Sequence, residues 1–158
     1  MDGIVLARVL HIVGVVVWIG GVSIVTTVVL PAVRRGDLGP DRLLAFEAIE
    51  RRFVWQARAA IVVVGLTGFY MTAMLDLWDR FRDAEFWWMH AMVFVWLVFA
   101  MGLFVIEPFV VGHRFAQWAT RRPAATFAWL QRIHWILLTA GLATIAGAVA
   151  GAQGWSLF

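Results

Sequence analysis

Four apolar stretches, each long enough to cross a lipid bilayer, take up nearly the whole chain. They run over about residues 4–30, 54–75, 86–111 and 124–152, and a helix needs about 20 apolar residues to traverse the hydrocarbon layer. No water reaches the backbone there, so each stretch must satisfy its own N–H and C=O groups by forming a helix. The chain has 158 residues, 63% of them hydrophobic, and a mean hydropathy of +0.84. That is more apolar material than a soluble core of this size can hide. The expected fold is all-α: an integral membrane four-helix up-down bundle forming a single transmembrane domain over residues 1–158. A soluble enzyme, a disordered chain and a nucleic-acid-binding module are excluded, despite a pI near 11.0.

The ends of the spans have local causes. Pro31 with Arg34 and Arg35 stops the first, Asp76 stops the second, Pro108 kinks the end of the third, and Pro123 opens the fourth from a first-turn position. Residues 34–52 are polar, with Leu43, Leu44, Phe46 and Ile49 at helical spacing, which predicts a short amphipathic helix lying on the membrane surface. The first span is too long for a signal peptide and has no small-residue cleavage site, so it is expected to stay in the mature chain. No internal repeat interrupts the pattern.

All 13 basic residues are arginine. Ten of them, Arg34, Arg35, Arg42, Arg51, Arg52, Arg58, Arg114, Arg121, Arg122 and Arg132, flank the first and third connections, against three on the other side, Arg8, Arg80 and Arg82. Cytoplasmic loops carry the excess of positive charge. The expected location is therefore a bacterial inner membrane, with both termini and the 76–85 connection periplasmic. The high pI is a topology signal.

Without cysteine there is no thiolate site and no covalently attached haem, and without lysine no Schiff base. Histidine, methionine and carboxylate remain as ligands. Histidine inside a span is costly and marks a site by default. His11 lies about 10 Å inside the start of the first span and His90 about 6 Å inside the start of the third, at 1.5 Å per residue. Those spans run the same way, so the two imidazoles share a depth near the outer face on helices that an up-down bundle places diagonally. This is the geometry of a bis-histidine haem. Small residues at the same depth offer room for a macrocycle: Gly14, Gly65, Thr67, Gly68 and the run from Thr139 to Ala148. Arg8, one turn outward of His11, suits a haem propionate, with Arg80 or Arg82 as alternatives. Close helix packing through small residues, with the histidines as interhelical donors, is the structural alternative.

Copper is the competing cofactor, since Met71, Met74, Met89 and Met92 gather near His90 and thioethers with imidazole suit Cu(I). In the inner half an Arg58–Glu107 ion pair is expected in a structural role. His113 is expected at the interface. A second haem on His113 and His134 is the weaker arrangement, because their depths differ and Trp118, Trp129 and Trp135 crowd them. Trp78, Trp87 and Trp155 are expected in the aromatic belt.

The string from Leu10 through His11, Gly14 and Trp18 to Gly20 and Gly21 resembles the first helix of HemJ-like protoporphyrinogen oxidases and of CopD-like membrane proteins. Ala48 to Phe53, containing Glu50-Arg51-Arg52, is similar to the segment before the second helix of the HemJ group, and Trp88-Met89-His90-Ala91 to its third-helix Leu-His-Ala-Lys motif. The likeness covers the first three spans and fades in the fourth. It implies a membrane haem-b protein with His11 and His90 as iron ligands. Where that motif has lysine this chain has Met92, which neither attracts carboxylates nor relays protons. The expectation is therefore haem-dependent electron transfer, coupled to quinone or a periplasmic redox partner, over protoporphyrinogen oxidation, with copper handling of the CopD type as a further alternative. A homo-oligomer is compatible with all three.

Overall fold

The computed structural model describes residues 2–39 and 41–155, and within them all side chains except those of residues 110–116. Four long apolar helices pack as a bundle and have the length and composition of membrane spans. They are α1 (Asp2–Arg35), α2 (Arg42–Met74), α3 (Trp87–Met101) and, after a short α4 (Gly112–Arg121), α5 (Pro123–Ala152). A π-helical stretch, Gly102–Val111, joins α3 to α4, and two 3₁₀ turns, Trp78–Arg82 and Ala84–Phe86, form the outer connection.

The neighbouring pairs are α1–α2, α2–α3, α3–α5 and α5–α1, which leaves α1 and α3 diagonal. Across that diagonal Trp18 meets Phe99 edge to face, with ring centroids 4.8 Å apart. The rings sit in a central core with Ile19, Val22, Ile61 and Leu138. A second core at the inner end joins Leu30, Val33, Phe46 and Phe127.

Two expected boundaries are corrected. Pro31 does not stop α1. The helix widens into a π turn over Val25–Val29, where the Leu30 N–H reaches back to the Val25 carbonyl, and the wide turn lets the chain carry a proline and remain helical. It ends instead at Gly36, whose φ of 82° is the left-handed conformation that closes a helix and that glycine adopts without steric cost.

The expected surface helix is part of α2. Phe46 is buried and packs edge to face on Phe127, 5.4 Å between centroids, so this segment belongs to the bundle. A membrane surface offers one apolar side, whereas the flared ends of α1 and α5 offer a pocket that encloses the ring.

Pro108 lies inside the π-helical stretch at the end of the third span, and only Arg122 separates α4 from α5. In a π-helix the N–H of residue 108 would bond the carbonyl of residue 103, and proline has no N–H to give. Arg58 takes its place: Nε and Nη2 donate to the Leu103 carbonyl at 3.0 and 2.8 Å, and Nη2 also donates to Glu107 Oε2 at 2.5 Å. The ion pair thus repairs the backbone that the proline leaves unsatisfied.

Candidate functional site

His11 projects from α1 onto α2, where Nδ1 stands 3.1 Å from both the Val64 carbonyl and Thr67 Oγ1. A carbonyl only accepts, so Nδ1 carries the proton. The Thr67 hydroxyl donates its own hydrogen to the Val63 carbonyl at 2.6 Å, which leaves its oxygen as an acceptor for the same imidazole N–H. These bonds commit Nδ1 as the donor toward α2 and leave Nε2 outside them. Gly68 makes the approach possible: a Cβ there would stand 3.3 Å from His11 Cε1.

His90 is held differently. Its Nε2 donates to the Phe81 carbonyl at 3.0 Å and its ring meets the Phe81 ring edge to face at 5.4 Å, on the exposed outer connection. His11 and His90 thus present opposite nitrogens, one committed to α2 and the other to the loop before α3. Arg8 is exposed, one turn outward of His11. Arg80 lies over the Phe86 ring at 4.8 Å, and Arg82 pairs with Asp79 at 3.2 Å on the surface.

The room expected beside the histidines is filled from within the chain. A Cβ on Gly14 would stand 2.8 Å from Val64 Cγ2, one on Gly65 would stand 2.6 Å from the Trp96 ring, and one on Gly147 would stand 2.5 Å from the Trp87 ring. Gly151 receives Trp88 in the same way. Trp96 also donates its Nε1–H to the Ile61 carbonyl at 2.9 Å, closing α2 onto α3. Trp87, expected in the aromatic belt, is instead a knob seated in α5. Glycines at i and i+4 leave a groove along one helix face, and large flat rings fill such grooves well.

The donor chemistry at His11 fits an axial haem ligand, which needs one ring N–H held by an oxygen and the other nitrogen bearing a lone pair. Trp96 occupies the seat at Gly65, so a macrocycle between His11 and His90 would have to displace it. One polar atom in the central core lacks a partner, Trp18 Nε1, seven residues inward of His11 along α1. For copper, Met89 is buried and Met71 and Met92 half-buried, while Met74 faces outward. Among the described residues no three His, Asp or Glu side chains gather as a metal site.

At the inner end, His134 donates its Nδ1–H to the Leu130 carbonyl of its own helix at 2.9 Å. The His113 side chain lies outside the described residues, so the second-haem arrangement has one described member. The sequence offered the histidines as interhelical donors, but that His11 meets the Val64 carbonyl depends on the register of α1 against α2. Thr67, one turn beyond Val64, was the available signal. Comparison with family models, with curated proteins and with solved structures finds no match for the chain. Fold and site together define a multi-pass α-helical membrane protein with an interhelically bonded histidine in the half of the bundle that holds both termini.

Proposed function

We propose that this protein is a membrane haem-b redox protein in which His11 is the first iron ligand and His90 its partner, exchanging electrons with quinone or a periplasmic donor. The observation that carries this reading is the His11 Nδ1–H held by the Val64 carbonyl, the outer hydrogen bond that orients a ligating imidazole and leaves Nε2 as the nitrogen available to iron. The resemblance of the first- and third-helix histidine segments to the HemJ and CopD groups supports it. When bound, the haem would supply a one-electron centre. Val64 and Thr67 would hold the His11 tautomer, and Arg8 would neutralise a propionate. Ring entry requires Trp96 to leave Gly65 and His90 to release Phe81. The proposal includes the orientation that the arginines imply, with both termini periplasmic in a bacterial inner membrane.

The test is the absorbance of the protein purified in detergent after haem supplementation. A Soret band that sharpens on reduction, lost in His11→Ala and altered in His90→Ala, is the expected outcome. Colourless protein, or a spectrum indifferent to His11→Ala, would leave His11 as a purely structural pin between α1 and α2.

A further inference from the structure

At the end of the bundle that holds the 36–41 connection, α2 and the π-helical stretch border an open cavity of about 420 Å³, within the range of about 300–1,000 Å³ typical of small-molecule sites. Its polar lining comes from one stripe of α2, Glu47, Glu50, Arg51 and Arg58, and from Glu107 opposite. These α2 residues recur at helical spacing, so a single face brings both signs of charge to the cavity. It lies one to two turns inward of where the second apolar span begins, far from His11 and independent of any haem.

The charges do not balance internally. Arg58 is consumed by Glu107 and by the Leu103 carbonyl. Glu47 and Glu50 are half-buried and make no hydrogen bond or ion pair among the described residues, and Glu47 and Glu107 both repel the Glu50 carboxylate. Half-buried carboxylates without donors carry a desolvation cost that an entering cation would offset. Arg51 also faces the cavity without a partner among the described residues, and its guanidinium suits a phosphate. The wall is completed by Leu44 and Trp55, which turn outward with 65% and 68% of their surface exposed. Along α2 an occupant therefore meets Leu44, then Glu47, then Glu50 and Arg51, then Trp55.

We propose that this cavity takes the headgroup of an amine-bearing zwitterionic phospholipid, with its ammonium between Glu47 and Glu50, its phosphate on Arg51, and its acyl chains leaving past Trp55. A primary ammonium brings three N–H donors to two carboxylates that have none, which a quaternary ammonium does not. An anionic headgroup without an amine brings like charge. Trp55, exposed at the level where the apolar span of α2 begins, favours a lipid over a free phosphoamine of the same chemistry.

Native mass spectrometry of the full chain in detergent, titrated separately with phosphatidylethanolamine, phosphatidylcholine, phosphatidylglycerol and free phosphoethanolamine, tests this. Phosphatidylethanolamine should be retained most. Glu50→Gln, which keeps the side-chain shape, should reduce that retention about tenfold, as loss of one charge-assisted hydrogen bond implies. Arg51→Gln should weaken phosphatidylethanolamine and phosphatidylcholine alike. Equal retention of the three lipids by the unmodified protein overturns the proposal without relying on any variant, and so does undiminished preference in Glu50→Gln. Binding of free phosphoethanolamine as tight as that of the lipid overturns the lipid as its source.

Discussion

Arg58 shows how one side chain compensates for a proline that stands opposite it in the fold. Its guanidinium is planar and forked, so two of its nitrogens converge on the Leu103 carbonyl while one also reaches Glu107. The rings of Trp55 and Phe104 lie within 5.5 and 5.7 Å of its centre and shield it. Removing it leaves both a carbonyl and a carboxylate without a donor. Arg58→Met should therefore destabilise the protein by about 2–3 kcal/mol, measured by chemical unfolding in detergent micelles. Arg58→Lys keeps the charge but presents one compact ammonium, so it should recover the Glu107 contact and only part of the stability. If Arg58→Met unfolds like the parent, the repair of the Pro108 turn is not what holds this residue in the bilayer. The sequence reading already gave the pair a structural role. What it lacked was the reason, because a proline's missing N–H leaves its mark on a carbonyl five residues back, and only the packed structure shows which residue answers it.

At the scale of elements, α1 and α2 share the most extensive contact in the bundle, and Gly14 sets how closely they approach. A methyl group there meets Val64 Cγ2 at 2.8 Å and the Ala60 carbonyl at 3.5 Å. Val64 is β-branched and stiff at χ1, so it yields little. Gly20, on the same helix, faces open space with nothing within 4 Å. The pair makes an internally controlled experiment: Gly14→Ala should lower stability by about 1–3 kcal/mol through overpacking, and Gly20→Ala should be neutral or stabilise by up to about 1 kcal/mol through helix propensity. Melting temperatures of the two variants in the same detergent check this. Equal shifts would mean that Gly14 does not set the distance between α1 and α2. Sequence alone offered two uses for these glycines, cofactor space or close packing. For Gly14, Gly65 and Gly147 the structure shows packing, since each faces a side chain of a neighbouring helix.

Taken whole, the molecule has arginines concentrated at one end and aromatic knobs at the other. The proposed orientation follows from the ten arginines around the inner connections and the three at the outer end. A cysteine placed in the tail beyond Gly154 should react with an impermeant thiol reagent in intact cells whose outer membrane has been permeabilised. One placed at Asp37 should stay protected until the inner membrane is opened. The reverse pattern would place His11 near the cytoplasmic face and remove a periplasmic electron partner from consideration.

The sequence by itself determined that this chain is a membrane-spanning α-helical bundle, because the length and hydropathy of a span depend on consecutive residues and the bilayer allows the backbone no other economy. It also located the intramembrane histidines and the charged pair, whose depth follows from counting along a helix. Helix boundaries were less legible: Pro31 and Pro108 signal a break by local rule, yet both sit in or beside π-helical turns that neighbouring helices support. Tertiary structure alone decided which nitrogen of His11 is committed, that tryptophans from α3 fill the grooves at Gly65, Gly147 and Gly151, and that Phe46 is buried between α1 and α5 rather than resting on lipid. Each depends on the register between helices distant in sequence, and that register is set by side-chain shapes meeting in space, which no local periodicity encodes.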